Sequence, residues 1–318
     1  MRLGIVGCSE IAYRRFMPAV KEVKELQVVA VAEEYAPQKL EAFCADYQLE
    51  GETSFRELIQ RGDLDAIYVP QPPALHFKWA KEALEAGKHV LIEKPSTTNY
   101  EETKKLVELA REKKLVLHEN YMFQYHSQIG VIKQMVSEGV IGELRLMRAN
   151  FGFPLRAQND FRYVKDLGGG ALLDAGGYTM KLATLFLGDT IKIDSAHLLG
   201  LPGYEVDMYG NASLSNDKGM TCQIGFGMDN SYQCSLELWG SKGRILTDRI
   251  FTAPPEFEPK VVIENAEGRQ ERILEADRHF MHSIEKFVAA VNDEKTRNEE
   301  YEEILLQARL VEEFRTKA

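Results

Sequence analysis

Residues 2–16 read RLGIVGCSEIAYRRF: an aliphatic run, a glycine at position 7, then a stretch of helical composition. The strand, turn and helix that open a dinucleotide-binding fold carry G-x-G-x-x-G/A. The first glycine makes the tight turn, the second lets the backbone approach the pyrophosphate, and the last small residue lets helix pack on sheet. This chain has Gly7, Ser9 and Ala12 at those places. Gly7 permits the turn, Ala12 permits the packing, and the helix N-terminus that follows can receive a pyrophosphate. Ser9 puts a Cβ where the second glycine belongs, which a turn with negative φ there tolerates. Taken alone, the stretch equally describes a strand, turn and helix with no ligand.

The residues that follow favour the ligand. Glu33 closes the next aliphatic run, LQVVAVAE, 21 positions after Ala12, where an acid binds the ribose hydroxyls of NAD. From residue 2 to about 120, the runs RLGIVG, LQVVAVA, DAIYVP, HVLIEK and LVLHEN alternate with the helical patterns PQKLEAFCADY, ALHFKWAKEALEAG and YEETKKLVELAREKK. Nearly continuous hydrophobicity suits strands covered on both faces, so the alternation predicts a doubly wound parallel sheet. The texture then changes. LRLMRANFGF and residues 192–248 alternate as strands broken by SNDKG, MDNS and GSKG, and VVIENAEGRQERIL reads as a further hairpin. Helices are expected near 169–187, 278–292 and 299–316. The expected architecture is a Rossmann domain over 1–120 and an α+β domain over 121–318, built on an open, mostly antiparallel sheet.

Composition narrows the functional classes. Lysine and arginine number 39 against 49 acidic residues, a net charge of -10, which opposes binding to a phosphate backbone. Neither nucleic acid nor an anionic membrane is an expected partner. The four cysteines lack C-x-x-C spacing and read as reduced core residues. Residues 5–8, IVGC, imitate a lipoprotein cleavage site, but four preceding residues are too few for a signal segment. No apolar run approaches the ~20 residues that span a bilayer, and a cytoplasmic protein is expected.

Two stretches carry candidate chemistry. Glu93-Lys94-Pro95 directly follows the strand HVLI, at the carboxyl edge of the sheet where ligands bind in such folds. In GGGALLDAGGYTMKLATLFLG, Gly176 and Gly177 cost about 1 kcal/mol each inside a helix. Either a ligand or tight helix packing requires close approach there. Asp174 and Tyr178, at i and i+4, share a helix face and could grip a sugar and donate a proton. His126 is either in the substrate cleft or packed, and Arg162 with Tyr163 either hold a diphosphate or sugar or form a surface turn. His279 and His282 imitate a metal pair, but no glutamate or cysteine pattern completes it. No metal is expected.

The motifs GIVGCSEIA, YVPQPPALH, AGKHVLIEKP and GGGALLDAGGY, in that order along essentially the whole chain, resemble the glucose-fructose oxidoreductase, inositol dehydrogenase and rhizopine-catabolism (Gfo/Idh/MocA) family. GCSEIAYRRFMPA, HENYMFQYHSQ, GVIGELR and DFRY are similar to its nucleotide-diphospho-hexose 3-ketoreductases, which often lack the second glycine. The resemblance implies that Lys94 and Tyr178 face a substrate carbonyl. With the spacing above, it gives Gly7, Cys8, Ser9, Glu10, Ile11, Glu33, Pro70, Gln71, His76, Glu93 and Lys94 as cofactor residues. Asn120, His126, Arg162, Tyr163, Asp174 and Tyr178 become the substrate residues, and a homodimer or homotetramer is implied.

The chain departs from the family pattern in three places. Many relatives carry histidine at the position of Tyr178 and an acid at that of Lys181. A tyrosine suits proton donation to the alkoxide of a reduced ketone better than oxidation of a free sugar. The subgroup's small-residue and arginine signature for NADP is replaced by Glu33-Glu34. NAD(H) is therefore expected from Glu33, whereas the subgroup resemblance implies NADP(H). The expected function is reduction of a keto-sugar, at the 3-keto group of a nucleotide-linked deoxyhexose. Its rivals are a free-sugar or vicinal-diol dehydrogenase and a non-catalytic NAD-binding sensor.

Overall fold

The continuous apolar runs of the first half form strands β1 (Arg2–Val6), β2 (Gln27–Ala32), β4 (Ala66–Val69), β5 (His89–Glu93) and β6 (Leu117–Asn120), and a short β3 (Glu50–Glu52) joins their edge. All pair in parallel, in the order β3-β2-β1-β4-β5-β6. The order reverses between β1 and β4, and ligands of open α/β sheets bind outside the carboxyl ends of the strands at such a reversal. β3 was not expected: its sequence, EGE, has no apolar residue, and it lies on an exposed edge. The connecting helices are α1 (Met17–Val20), α2 (Pro37–Tyr47), α3 (Phe55–Gln60), α4 (Pro73–Glu85) and α5 (Tyr100–Lys113). Each of α2 and α4 starts on a proline, which fits a first helical position because its missing N–H has no partner there anyway.

In the computed structural model, which describes residues 1–318, Met1–Tyr121 and Phe280–Ala308 form one compact unit, and Met122–His279 with Arg309–Ala318 the other. A division at residue 120 leaves 280–308 out of the first unit. This return segment belongs there because Tyr301 and Ile304 complete the core built on Val6, Ile67, Val90 and Leu117, while the Tyr301 hydroxyl donates to the Leu115 carbonyl.

The second unit holds α6 (Ser127–Ser137), α7 (Gly177–Leu187) and strands β7 (Leu144–Gly152), β8 (Lys192–Gly200), β9 (Asp207–Ser215), β10 (Thr221–Gly227), β11 (Gln233–Gly240), β12 (Gly243–Asp248), β13 (Lys260–Asn265) and β14 (Gly268–Ile273). Their order is β14-β13-β12-β11-β7-β10-β9-β8. Every pair is antiparallel except β7 with β10. The expected α/β class with a mostly antiparallel second sheet is therefore the observed one. At Gly176 a Cβ would lie 3.0 Å from the ring of Phe226 on β10, so close helix-on-sheet packing leaves little room for a side chain there. The last helices, α8 (His279–Asn292) and α9 (Glu294–Lys317), close the chain. No helix is long and apolar enough to cross a membrane.

Candidate active site

At the carboxyl end of β1, Gly7 has φ +104, a backbone state that L side chains rarely adopt. A Cβ on it would also lie 2.0 Å from Nε2 of Gln71, which donates to the Val6 carbonyl at 2.7 Å. The next N–H, of Cys8, donates to Glu33 Oε2 at 3.0 Å, and the Tyr35 N–H donates to Glu33 Oε1 at 3.0 Å. Glu33 is thereby fixed across the ends of β1 and β2. Ser9 has a use of its own: its hydroxyl accepts the Ala12 N–H at 3.2 Å, capping the helix that follows.

That helix runs through a π-helical turn, Ala12–Phe16, into α1, and the exposed Glu10 beside Ile11 pairs with Arg14 at 2.6 Å. Burial, then the charge of Glu33, pushes the Cys8 thiol up to about 12, so its sulfur stays protonated and Cys8 serves the turn through its backbone. A positive-φ glycine, a capped helix start and a fixed acid fit the pyrophosphate and ribose of a dinucleotide.

The second cluster lies around Glu93-Lys94-Pro95, whose Lys94–Pro95 bond is cis. Glu93 Oε1 accepts from Tyr68 Oη at 2.6 Å and from Asn120 Nδ2 at 2.7 Å. Burial raises its pKa, and these two donors oppose the rise. The Ser96 N–H donates to Glu119 Oε1 at 2.6 Å. His76, expected to hold cofactor, is fully buried. Its Nδ1 lies 2.7 Å from the Pro95 carbonyl and its Nε2 2.6 Å from the Gln71 carbonyl. Burial pushes its pKa down to about 4, against the pull of both carbonyls, so the ring is neutral and its single N–H donates to one of the two carbonyls. His76 is therefore wedged between the Lys94 loop and the Pro70-Gln71 turn, and has no surface to offer a cofactor. Asn120 is likewise buried with its amide committed, which removes it from direct substrate contact.

In the second unit, Tyr178 lies on the first turn of α7, after a π-helical turn at Leu172–Gly176. Its ring is packed by Phe123, Phe151 and Phe251, at centroid distances of 5.7, 5.2 and 5.8 Å, and its hydroxyl lies 3.8 Å from Met122 Sδ. The phenol thus sits in an apolar setting, 8 % exposed.

The other substrate candidates are engaged elsewhere. Asp174 accepts from Arg162 Nε at 2.6 Å, and Asp160 from Arg162 Nη1 at 3.1 Å. Burial alone would lower the Arg162 pKa, but the two carboxylates outweigh it and raise it. Arg162, between two carboxylates, braces the 160–174 segment. Tyr163 Oη accepts the Arg156 N–H at 2.7 Å, and its ring meets Tyr204 at 5.2 Å. His126 is 1 % exposed. It caps α6 by accepting the Gln128 N–H at 3.2 Å and packs on His279, so the packed reading holds. No group of histidine, cysteine and carboxylate side chains could hold a metal.

The model of the oxidoreductase family with an NAD-binding Rossmann fold matches residues 1–121, and that of the GFO/IDH/MocA C-terminal domain matches 130–246. Among curated proteins, the dTDP-3,4-didehydro-2,6-dideoxy-alpha-D-glucose 3-reductase of Actinomadura kijaniata is 40 % identical over 100 % of this chain and 96 % of its own. Its counterpart from Saccharopolyspora spinosa is 39 % identical over 98 % and 96 %. The crystal structure of KijD10, a 3-ketoreductase from Actinomadura kijaniata, in complex with NADP and TDP-benzene, superposes with a TM-score of 0.96 at 40 % identity, covering 100 % of this chain and 98 % of that one. KijD10 has also been solved with a tyrosine replaced by phenylalanine and with a lysine replaced by alanine. A Rossmann unit with its dinucleotide turn, an open sheet in the second unit and full-length likeness to sugar reductases agree: the chain belongs to the Gfo/Idh/MocA family of NAD(P)-dependent oxidoreductases.

Proposed function

We propose that the protein reduces the 3-keto group of a nucleotide-diphospho-deoxyhexose with NAD(P)H. The observation that carries this reading is the 40 % identity, over the full chain, to a dTDP-sugar 3-reductase. A second supports it: the lysine and the tyrosine replaced in KijD10 stand 84 positions apart in that chain, the same separation as Lys94 and Tyr178 here (178 − 94 = 84). The bound nicotinamide supplies the hydride to the carbonyl carbon. Lys94 polarises the carbonyl oxygen, and Tyr178 delivers the proton that the developing alkoxide takes up. Incubating the protein with a 3-keto nucleotide-deoxysugar and reduced cofactor is expected to give turnover, while free aldoses and vicinal diols with oxidised cofactor give none. Turnover confined to the free sugars or diols would replace this reading with the oxidative dehydrogenase, and binding without any turnover would replace it with the sensor.

The choice of cofactor belongs to the same proposal. KijD10 was crystallised with NADP, but in this chain the Glu33 carboxylate is held by two backbone N–H groups and cannot readily swing aside. A 2′-phosphate about 5 Å from it would meet roughly 3 kcal/mol of repulsion per charge at an effective dielectric of 20, before screening. NADH is expected to bind more tightly than NADPH, by up to about a hundredfold. Nicotinamide-fluorescence titration measures both, and equal or inverted affinities would show that Arg14 or Arg15 compensates for the acid.

A further inference from the structure

Beneath the Lys94 loop, the first unit contains a buried chain of polar side chains for which the reaction has no stated use. Glu300 on α9, His118 on β6, Ser283 on α8 and Asn120 on β6 are each at most 4 % exposed. His118 Nδ1 lies 2.7 Å from Glu300 Oε2, and His118 Nε2 lies 2.9 Å from Ser283 Oγ. Ser283 Oγ lies 2.8 Å from Asn120 Oδ1, and Asn120 Nδ2 lies 2.7 Å from Glu93 Oε1.

The first three residues have the order of a nucleophile, a base and an orienting acid, but the hydroxyl proton is already committed. Asn120 Oδ1 can only accept, so Ser283 donates to it, and Ser283 in turn accepts from His118 Nε2–H. Reversing the amide of Asn120 would set its oxygen against the Glu93 carboxylate at 2.7 Å, acceptor against acceptor. Donation therefore runs one way, from His118 to Ser283 to Asn120 to Glu93. At its end two donors, Asn120 Nδ2 and Tyr68 Oη, converge on the same carboxylate oxygen.

We propose that Ser283 is a positioning residue for cofactor binding: its hydroxyl, fixed by His118 and Glu300, sets the amide of Asn120 and through it the carboxylate of Glu93 beside Lys94. The inference rests on taking Glu93 as a cofactor residue, as the family resemblance implies, and not on the sugar that is reduced. Ser283→Ala leaves a buried amide oxygen without its donor and lets the Asn120 and Glu93 side chains rotate. NADH and NADPH affinities, read by nicotinamide fluorescence on the full chain, are expected to weaken about five- to tenfold in this variant. Ser283→Thr restores the hydroxyl and is expected to recover affinity to within about twofold. Unchanged affinity in Ser283→Ala, even with a lowered melting temperature, would make the hydroxyl purely structural and overturn the proposal. An equal loss in Ser283→Thr would overturn it as well. If the wild-type chain turns over no keto nucleotide sugar, the proposed function fails, whereas the comparison of affinities still decides this inference.

Discussion

Replacing Tyr178 by phenylalanine is expected to lower kcat by about 10²–10⁴, the range supplied by a positioned general acid, or roughly 3–5 kcal/mol of barrier. The substitution removes one oxygen and leaves the ring among Phe123, Phe151 and Phe251, so the fold and the dinucleotide affinity are expected to be little changed. A phenol ordinarily titrates near 10 and is a reluctant acid, but a lysine ammonium acting on the same oxygen favours transfer of its proton. Single-turnover oxidation of the reduced cofactor by a 3-keto nucleotide sugar is the measurement. A near-normal rate in Tyr178→Phe would move the acid role to Lys94 or an ordered water.

Lys94→Ala is expected to lose at least as much, because in the proposed mechanism the lysine supplies the charge that polarises the carbonyl and assists the phenol. Groups that act as a unit are non-additive. The double variant Lys94→Ala with Tyr178→Phe is therefore expected to be only slightly slower than the worse single variant. Multiplicative losses in the same single-turnover assay would show instead that the two residues serve separate steps. The neighbours of Lys94 are fixed: Glu93 by Tyr68 and Asn120, and the Ser96 N–H by Glu119.

The parallel sheet was legible because strands covered on both faces must be continuously apolar, and residues 27–32 or 66–69 could form little else. β3 was not, since Glu50–Glu52 pairs through backbone alone on an exposed edge. α6 was missed for a different reason. Its cap is the imidazole of His126, which is outside the serine, threonine, aspartate and asparagine signals that mark helix starts, and Gly130 with β-branched neighbours weakens its pattern. At the site, Gly7 and Glu33 could be placed by spacing because the turn and the ribose acid have fixed separations along a βαβ unit. Spacing cannot show what a side chain is already bonded to. Arg162 and Asp174 look like two sugar ligands until they are found paired, and His76 looks like a cofactor residue until two carbonyls close on it. Ser283 and His118 are 165 positions apart, so no local pattern could join them.

The return of residues 280–308 to the first unit has a consequence for how the chain matures. Synthesis at roughly 5–20 residues per second completes the six strands of the parallel sheet long before Tyr301 and Ile304, which fill its core, have been made. For roughly 9–36 seconds at those rates, the nascent parallel sheet lacks part of its apolar cover, and for most of that time His118 lacks both Ser283 and Glu300. The dinucleotide turn is among the first segments to leave the ribosome, yet the unit that carries it is complete only once residues 280–308 have been made.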